Sequence, residues 1–143
     1  MEKVTRRKEL VIATENKVGT LAEITDAVAG KGVNIEHFCA YAIGDKAAFC
    51  LLTSDNEKAR TSLQAKGFQV KETEVILLRL WNRPGSLASV AKKMKQNGID
   101  LEYVYGTSSQ IGERMTFIFS TKDNDKAAEV AAAMVLDGAD GTE

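Results

Sequence analysis

The chain has 143 residues and a single histidine, His37, with two cysteines near it in sequence, Cys39 and Cys50. A Cys-His nucleophile pair or a Cys-His-Cys metal site would need these side chains to converge. Their spacing matches no zinc motif and no catalytic signature. If Gly44-Asp45 is a two-residue hairpin turn, Cys39 and Cys50 oppose each other on neighbouring strands. They then read as small buried thiols beside a partly buried His37. No Gly-x-Gly-x-x-Gly follows a strand, and there is no phosphate loop, Gly-x-Ser-x-Gly or His-Glu-x-x-His. Carboxylates are plentiful but fall on helix surfaces and caps. No catalytic residue, metal or cofactor is expected.

A second set of residues suits binding. The stretch Asn16-Lys17-Val18-Gly19-Thr20-Leu21 returns 66 positions later as Asn82-Arg83-Pro84-Gly85-Ser86-Leu87. Each copy leads from an apolar run into a helical pattern. Glycine allows a close backbone approach or a conformation other residues resist. Thr20 and Ser86 are placed to satisfy free N–H groups of the first helical turn. Those N–H groups and the helix dipole attract a carboxylate. Asn16 and Asn82 add a donor and an acceptor at the mouth of the turn. Asn34, at the start of the next strand, is expected close to the turn. An amino acid needs this mixture: donors for its carboxylate, and oxygens for its ammonium. The same residues also simply make a good turn, and a duplicated fold duplicates its turns.

The elements that must position the turns repeat as well. Residues 16–40 align with 82–106 without a gap, and after a two-residue slip Asp55-Asn56-Glu57-Lys58-Ala59 aligns with Asp123-Asn124-Asp125-Lys126-Ala127. This is a duplicated domain rather than a solenoid. In the first copy, Leu10–Ala13 reads as a buried strand. Leu21, Ile24 and Val28 follow at helical spacing, and Gly30-Lys31-Gly32 ends that helix. Strands are expected over 33–42 and 46–53. Ser54 and Glu57 stand at capping-box spacing ahead of a second helix marked by Ala59 and Leu63. Gly67 ends it, and Phe68–Glu72 is the fourth strand. The second copy reads as strand 75–81, helix 84–97, strands 99–107 and 113–121, and helix 124–136. Trp81 ends an apolar strand beside the second turn and is expected to pack in the core.

The fold class is therefore α+β, a ferredoxin-like βαββαβ arrangement in two tandem repeats over 1–73 and 74–143. The second lacks a clear final strand, because Asp137–Glu143 is small and acidic. That leaves a sheet edge beside 75–81. Either another chain covers it or the sequence stops short of the strand. His37, Cys39 and Tyr41 point one way along their strand, and Phe38, Ala40 and Ala42 the other. Met115, Phe117 and Phe119 likewise oppose Thr116, Ile118 and Ser120. Apolar side chains on both faces imply that the helix-free face is buried too, against the other repeat or another subunit.

Composition narrows the function. Hydrophobic residues make up 44% and the net charge is −1, which favours neither nucleic acid nor a membrane surface. The basic cluster Lys3, Arg6, Arg7 and Lys8 reads as a solvated N-terminal segment. No apolar run spans a bilayer and no signal peptide is evident, so the expectation is a cytoplasmic protein with reduced thiols.

The two turns resemble the Asn/Asp-x-Pro-Gly-x-Leu signature of ACT domains, and the Gly32-Val33-Asn34-Ile35 and Gly98-Ile99-Asp100-Leu101 strand starts fit the same family. The resemblance covers residues 8 to about 136 as two ACT units. It implies a βαββαβ regulatory module that binds an amino acid at an interface between two such domains, without an attached enzyme. The site it implies comprises Asn16, Val18, Gly19, Thr20, Leu21 and Asn34 in the first copy, and Asn82, Pro84, Gly85, Ser86, Leu87 and Asp100 in the second. Serine-binding members carry a histidine two residues before the turn asparagine. Thr14 and Leu80 stand there, so serine itself is not implied. Val18 replaces the signature proline in the first copy, and Asp100 offers a partner for an ammonium. The function implied is ligand-linked association, in a homodimer. A ligand-independent regulatory subunit for a separate biosynthetic enzyme is the alternative, and an enzyme using His37 and Cys39 the remaining one.

Overall fold

The computed structural model describes residues 4–107 and 109–136. Ten elements follow one another: β1 (Val4–Glu15), α1 (Thr20–Ala29), β2 (Ile35–Ile43), β3 (Lys46–Thr53), α2 (Asn56–Ala65), β4 (Val70–Trp81), α3 (Ser86–Gln96), β5 (Leu101–Thr107), β6 (Arg114–Thr121) and α4 (Asn124–Leu136). The acidic tail from Asp137 lies outside the described residues.

The chain separates into two compact units. The first is Lys8–Thr73; the second joins Met1–Arg7 to Glu74–Glu143. Each is a βαββαβ unit with antiparallel strands. In the first the strand order is β2, β3, β1 and then the opening residues of β4; in the second it is β5, β6, β4 and then the opening residues of β1. In the first unit Leu10 faces Leu51 and Ile12 faces Phe49 across β1 and β3. Their side chains meet Ile24 and Val28 of α1 and Leu63 of α2 in one core. In the second unit Ile76, Leu78 and Leu80 join Phe117 and Phe119, under Val90 and Met94 of α3 and Ala131 and Met134 of α4. Period-two apolar positions on the strands and period-3.6 positions on the helices produce these cores.

The N-terminal segment corrects the sequence expectation. Residues 4–7 are not solvated coil but part of β1, and they fall in the second unit although their number places them ahead of the first repeat. Val4 packs on the second core. Arg6 donates from Nε to Glu74 Oε1 at 3.0 Å and pairs with Asp125 at 2.7 Å. The second repeat has no described strand after α4, and this segment takes that strand's place beside β4. Backbone pairing decided the matter, because an edge with free N–H and C=O groups offers more than charge takes away. β4 likewise runs unbroken for 12 residues through Glu72-Thr73-Glu74, which the polar side chains had split into two strands.

Two caps differ from expectation. Asp55, not Ser54, caps α2 by accepting from Lys58 N at 3.1 Å. Ser54 instead exchanges bonds with the strand start: its Oγ accepts from Asn34 N, and its N–H donates to Asn34 O, both at 2.9 Å. An asparagine opens the second helix of each unit in the same way. Asn56 donates to Lys8 O at 2.8 Å and Asn124 to Glu74 O at 3.0 Å. Each also accepts from the threonine three residues earlier, at 2.7 and 3.0 Å.

The helix-free faces are mixed. Glu9, Cys50 and Leu52 are buried in the first unit, and Val75, Leu77 and Ile118 in the second, but Tyr41 is exposed.

Candidate functional site

Both turns have one backbone geometry. Gly19 has φ 91° and ψ −5°, and Gly85 has φ 91° and ψ −9°. Each stands at the N-cap of its helix, and neither helix has a side-chain cap. Glycine is required here because the left-handed conformation costs other residues energy. The hydroxyls do not do what the sequence suggested. Thr20 Oγ1 donates to Lys17 O at 3.1 Å and Ser86 Oγ to Trp81 O at 2.6 Å. They brace the turn and leave the first-turn N–H groups of α1 and α3 without a side-chain acceptor. Such an end suits a ligand carboxylate.

The turn asparagines are lashed to the hairpin of their own unit. Asn16 N donates to Asp45 O at 2.7 Å and its Nδ2 to Gly44 O at 3.4 Å. Asn82 N donates to Glu113 O at 2.7 Å, and its Nδ2 to Ser109 O at 2.6 Å. Their first task is to hold two loops together.

Asn34 and Asp100 are not beside the turns. β1 ends at its turn and α1 runs back along the sheet, so β2 begins at the opposite end of the unit. Nine extended residues span about 30 Å, far beyond one amino acid. Asn34 is tied to Ser54 there, and Asp100 pairs through Oδ2 with Lys122 Nζ at 3.0 Å. That hydrogen bond holds the Lys122 ammonium above its usual range. Within a unit, therefore, the fold brings Asn16, Gly19 and Thr20 together and leaves Asn34 apart; Asn82, Gly85 and Ser86 gather likewise, away from Asp100.

The first turn opens on a cleft of about 440 Å³ lined by Thr14, Lys17, Val18, Thr20, Glu23 and Phe68, within the range of small-molecule sites. Val18 is fully exposed. The wall formed by Glu23 and Gly67–Gln69 was not foreseen; Gly67 and Phe68 signalled only a helix end and a strand start. On its other flank α1 meets β2 along an apolar groove lined by Leu21, Thr25, Ile35, Phe38, Ala40 and Phe49.

His37, Cys39 and Cys50 form no metal centre: no group of three or more potential ligands gathers among the described residues. Cys39 faces Cys50 across β2 and β3 as expected, and both are free thiols. Trp81 ends β4 beside the second turn, under the Arg114 guanidinium.

The family model for the ACT domain pair matches residues 5–140. The chain belongs to the ACT domain pair family. As an ACT pair it is similar to protein BT0572 from Bacteroides thetaiotaomicron, at 29% identity over 90% of this chain and 88% of that one, with a TM-score of 0.81. It shares its fold with the regulatory subunit of aspartate kinase from Thermus thermophilus, at 13% identity over 91% and 95% of the two chains and a TM-score of 0.63. The aspartate kinase of Clostridium acetobutylicum gives 16% identity and a TM-score of 0.58, over 90% of this chain and 33% of that one. No curated protein matches the sequence. No described helix is long and apolar enough to cross a membrane.

Proposed function

We propose that this ACT pair is a non-enzymatic cytoplasmic regulator that binds an amino acid and reports its occupancy through the association of ACT units. The observation that carries this reading is the pair of uncapped helix starts at Gly19 and Gly85. Each leaves its first-turn backbone donors without a side-chain acceptor, beside an asparagine. Asn16 and Asn34 lie at opposite ends of their unit, about 30 Å apart by strand length, and this adds a condition: a site using both must take them from two copies of that unit. A ligand contacting two units stabilises the arrangement that forms the site, which is linkage. A homodimer supplies such an arrangement.

Calorimetry with the twenty amino acids is the test. At least one should bind in the micromolar-to-millimolar range, and Asn16→Ala or Gly19→Val should weaken it. Asn34→Ala should weaken it too, with little effect on folding, because Asn34 bonds within its unit through its backbone. Undiminished binding in all three variants would remove the site assignment.

One observation favours a second reading. The Asn16 and Asn82 amides already donate to hairpin carbonyls, so the turns also work with no ligand present. A ligand-independent subunit for a separate metabolic enzyme would then co-purify with that enzyme, and no amino acid would raise its melting temperature.

A further inference from the structure

Cys39 of β2 and Cys50 of β3 are register partners. Both are free thiols, Cys39 half-buried and Cys50 buried. Directly opposed residues on antiparallel strands stand about 4.5–5.5 Å apart at Cα, inside the span of about 4.4–6.8 Å that a disulfide bridges. Their side chains leave the sheet on the same face. Their Cβ atoms, about 4.5–5.5 Å apart, stand slightly wider than the roughly 3.5–4.5 Å of a relaxed bridge. A bond there would draw the two strands together and stay easy to reduce, as labile, regulatory disulfides are. The second unit places Tyr105 opposite Ile118 at the equivalent positions, so nothing in the βαββαβ fold itself calls for two thiols here.

We propose that Cys39 and Cys50 form a reversible cross-strand disulfide, a redox device that stiffens the β2–β3 hairpin. The oxidant is a small disulfide such as oxidised glutathione. Cys39 lies on the outer strand of its unit and meets the oxidant first. Its thiolate attacks one sulfur, the S–S bond of the oxidant breaks, and the released thiolate takes up the proton that Cys39 gave. Cys50 is buried, so it reacts with the sulfur held on Cys39 and not with the oxidant directly. A second small thiol then leaves with the Cys50 proton. Two protein thiols have become one disulfide, and one molecule of oxidant has become two thiols. Burial, then the Glu9 charge, raises both thiols, which slows each attack. Cys50 acts from beside its target, and proximity offsets part of that loss. The tip of this hairpin holds Asn16 through Gly44 O and Asp45 O. The cross-link would therefore tighten the support of the first turn and leave the second turn untouched, whatever that first turn binds.

Prolonged treatment of the full chain with oxidised glutathione, followed by alkylation with iodoacetamide and intact mass, tests the bond. The parent should lose two hydrogens, take up no iodoacetamide, and recover two alkylatable thiols in excess reduced glutathione. Cys50→Ala should stop at a glutathione adduct on Cys39, and Cys39→Ala should gain no disulfide. In the oxidised parent, hydrogen exchange should slow in β2, in β3 and at the Asn16 amide, with β5 and β6 unchanged. A lasting glutathione adduct on the parent's Cys39, two thiols still free, or a disulfide between two chains overturns the proposal. So does an oxidised parent whose β2, β3 and Asn16 amides exchange as before. Should either variant fail to fold, the mapped Cys39–Cys50 peptide of the oxidised parent decides alone.

Discussion

The Arg114 guanidinium carbon lies 4.3 Å from the centroid of the Trp81 ring, and these two residues are register partners across β4 and β6. The equivalent partners in the first unit, Glu15 and Lys46 across β1 and β3, form an ion pair instead. One position below each turn is thus held by two different forces. The exposed ion pair is screened by salt and worth about 0–1 kcal/mol. The cation–π contact on a half-buried ring is worth about 0.5–1 kcal/mol or more. Arg114→Ala should lower unfolding free energy by about that amount and shift the emission of the only tryptophan. Lys46→Ala should cost less, and nothing measurable in concentrated salt. Denaturant titrations at two ionic strengths check both.

Residues 4–7 close the second unit at the edge of β4. Deleting the chain through Arg7 should strip protection from β4 and α4 amides in hydrogen exchange, while the amides of the first unit from α1 to α2 keep theirs. The open edge should also promote aggregation. Arg6→Ala alone should change stability little, since Arg6 and its partners Glu74 and Asp125 are solvent-accessible. Equal loss of protection in both units would refute the assignment of this strand.

Much of the fold was legible because it rests on local signals. Ile24 and Val28 at helical spacing, the Gly44-Asp45 hairpin and the 66-residue repeat each specify structure within a short window. The strand at residues 4–7 was not legible. Its partner is some 70 residues away, and four cations conceal Val4, the one side chain that reaches the core. At the site, the turn glycines were legible because only a left-handed position demands them. The hydroxyls of Thr20 and Ser86 were misjudged because a hydroxyl can donate as readily as accept. Asn34 was misplaced because strand order reverses direction along α1, so neighbours in motif became opposite ends in space.

Nothing lies within 4 Å of a Cβ built on Gly19 or Gly85, so a substitution there meets no clash. The cost of Gly19→Ala or Gly85→Ala is then purely conformational, about 1–2 kcal/mol each. Asn, which tolerates the left-handed region better, should cost less at both sites. If alanine proved as harmless as asparagine in denaturant titrations, the left-handed turn would not persist in solution.

Cys50 offers a pH-dependent test. Burial, then the negative charge of Glu9, pushes its thiol up to about 12; Cys39 is raised for the same two reasons. The folded state therefore holds this proton more tightly than the unfolded chain, whose thiol ionises near 8.5. Below that pH the contribution to stability is complete, and it is lost as pH rises toward 12. Cys50→Ala should be less stable than the parent at neutral pH, because it leaves a small cavity. The gap should then narrow through the alkaline range. A thiol reagent at neutral pH should modify half-buried Cys39 first and reach Cys50 only as the chain unfolds. A gap independent of pH, or Cys50 reacting first, would show that the thiol is not buried against Glu9.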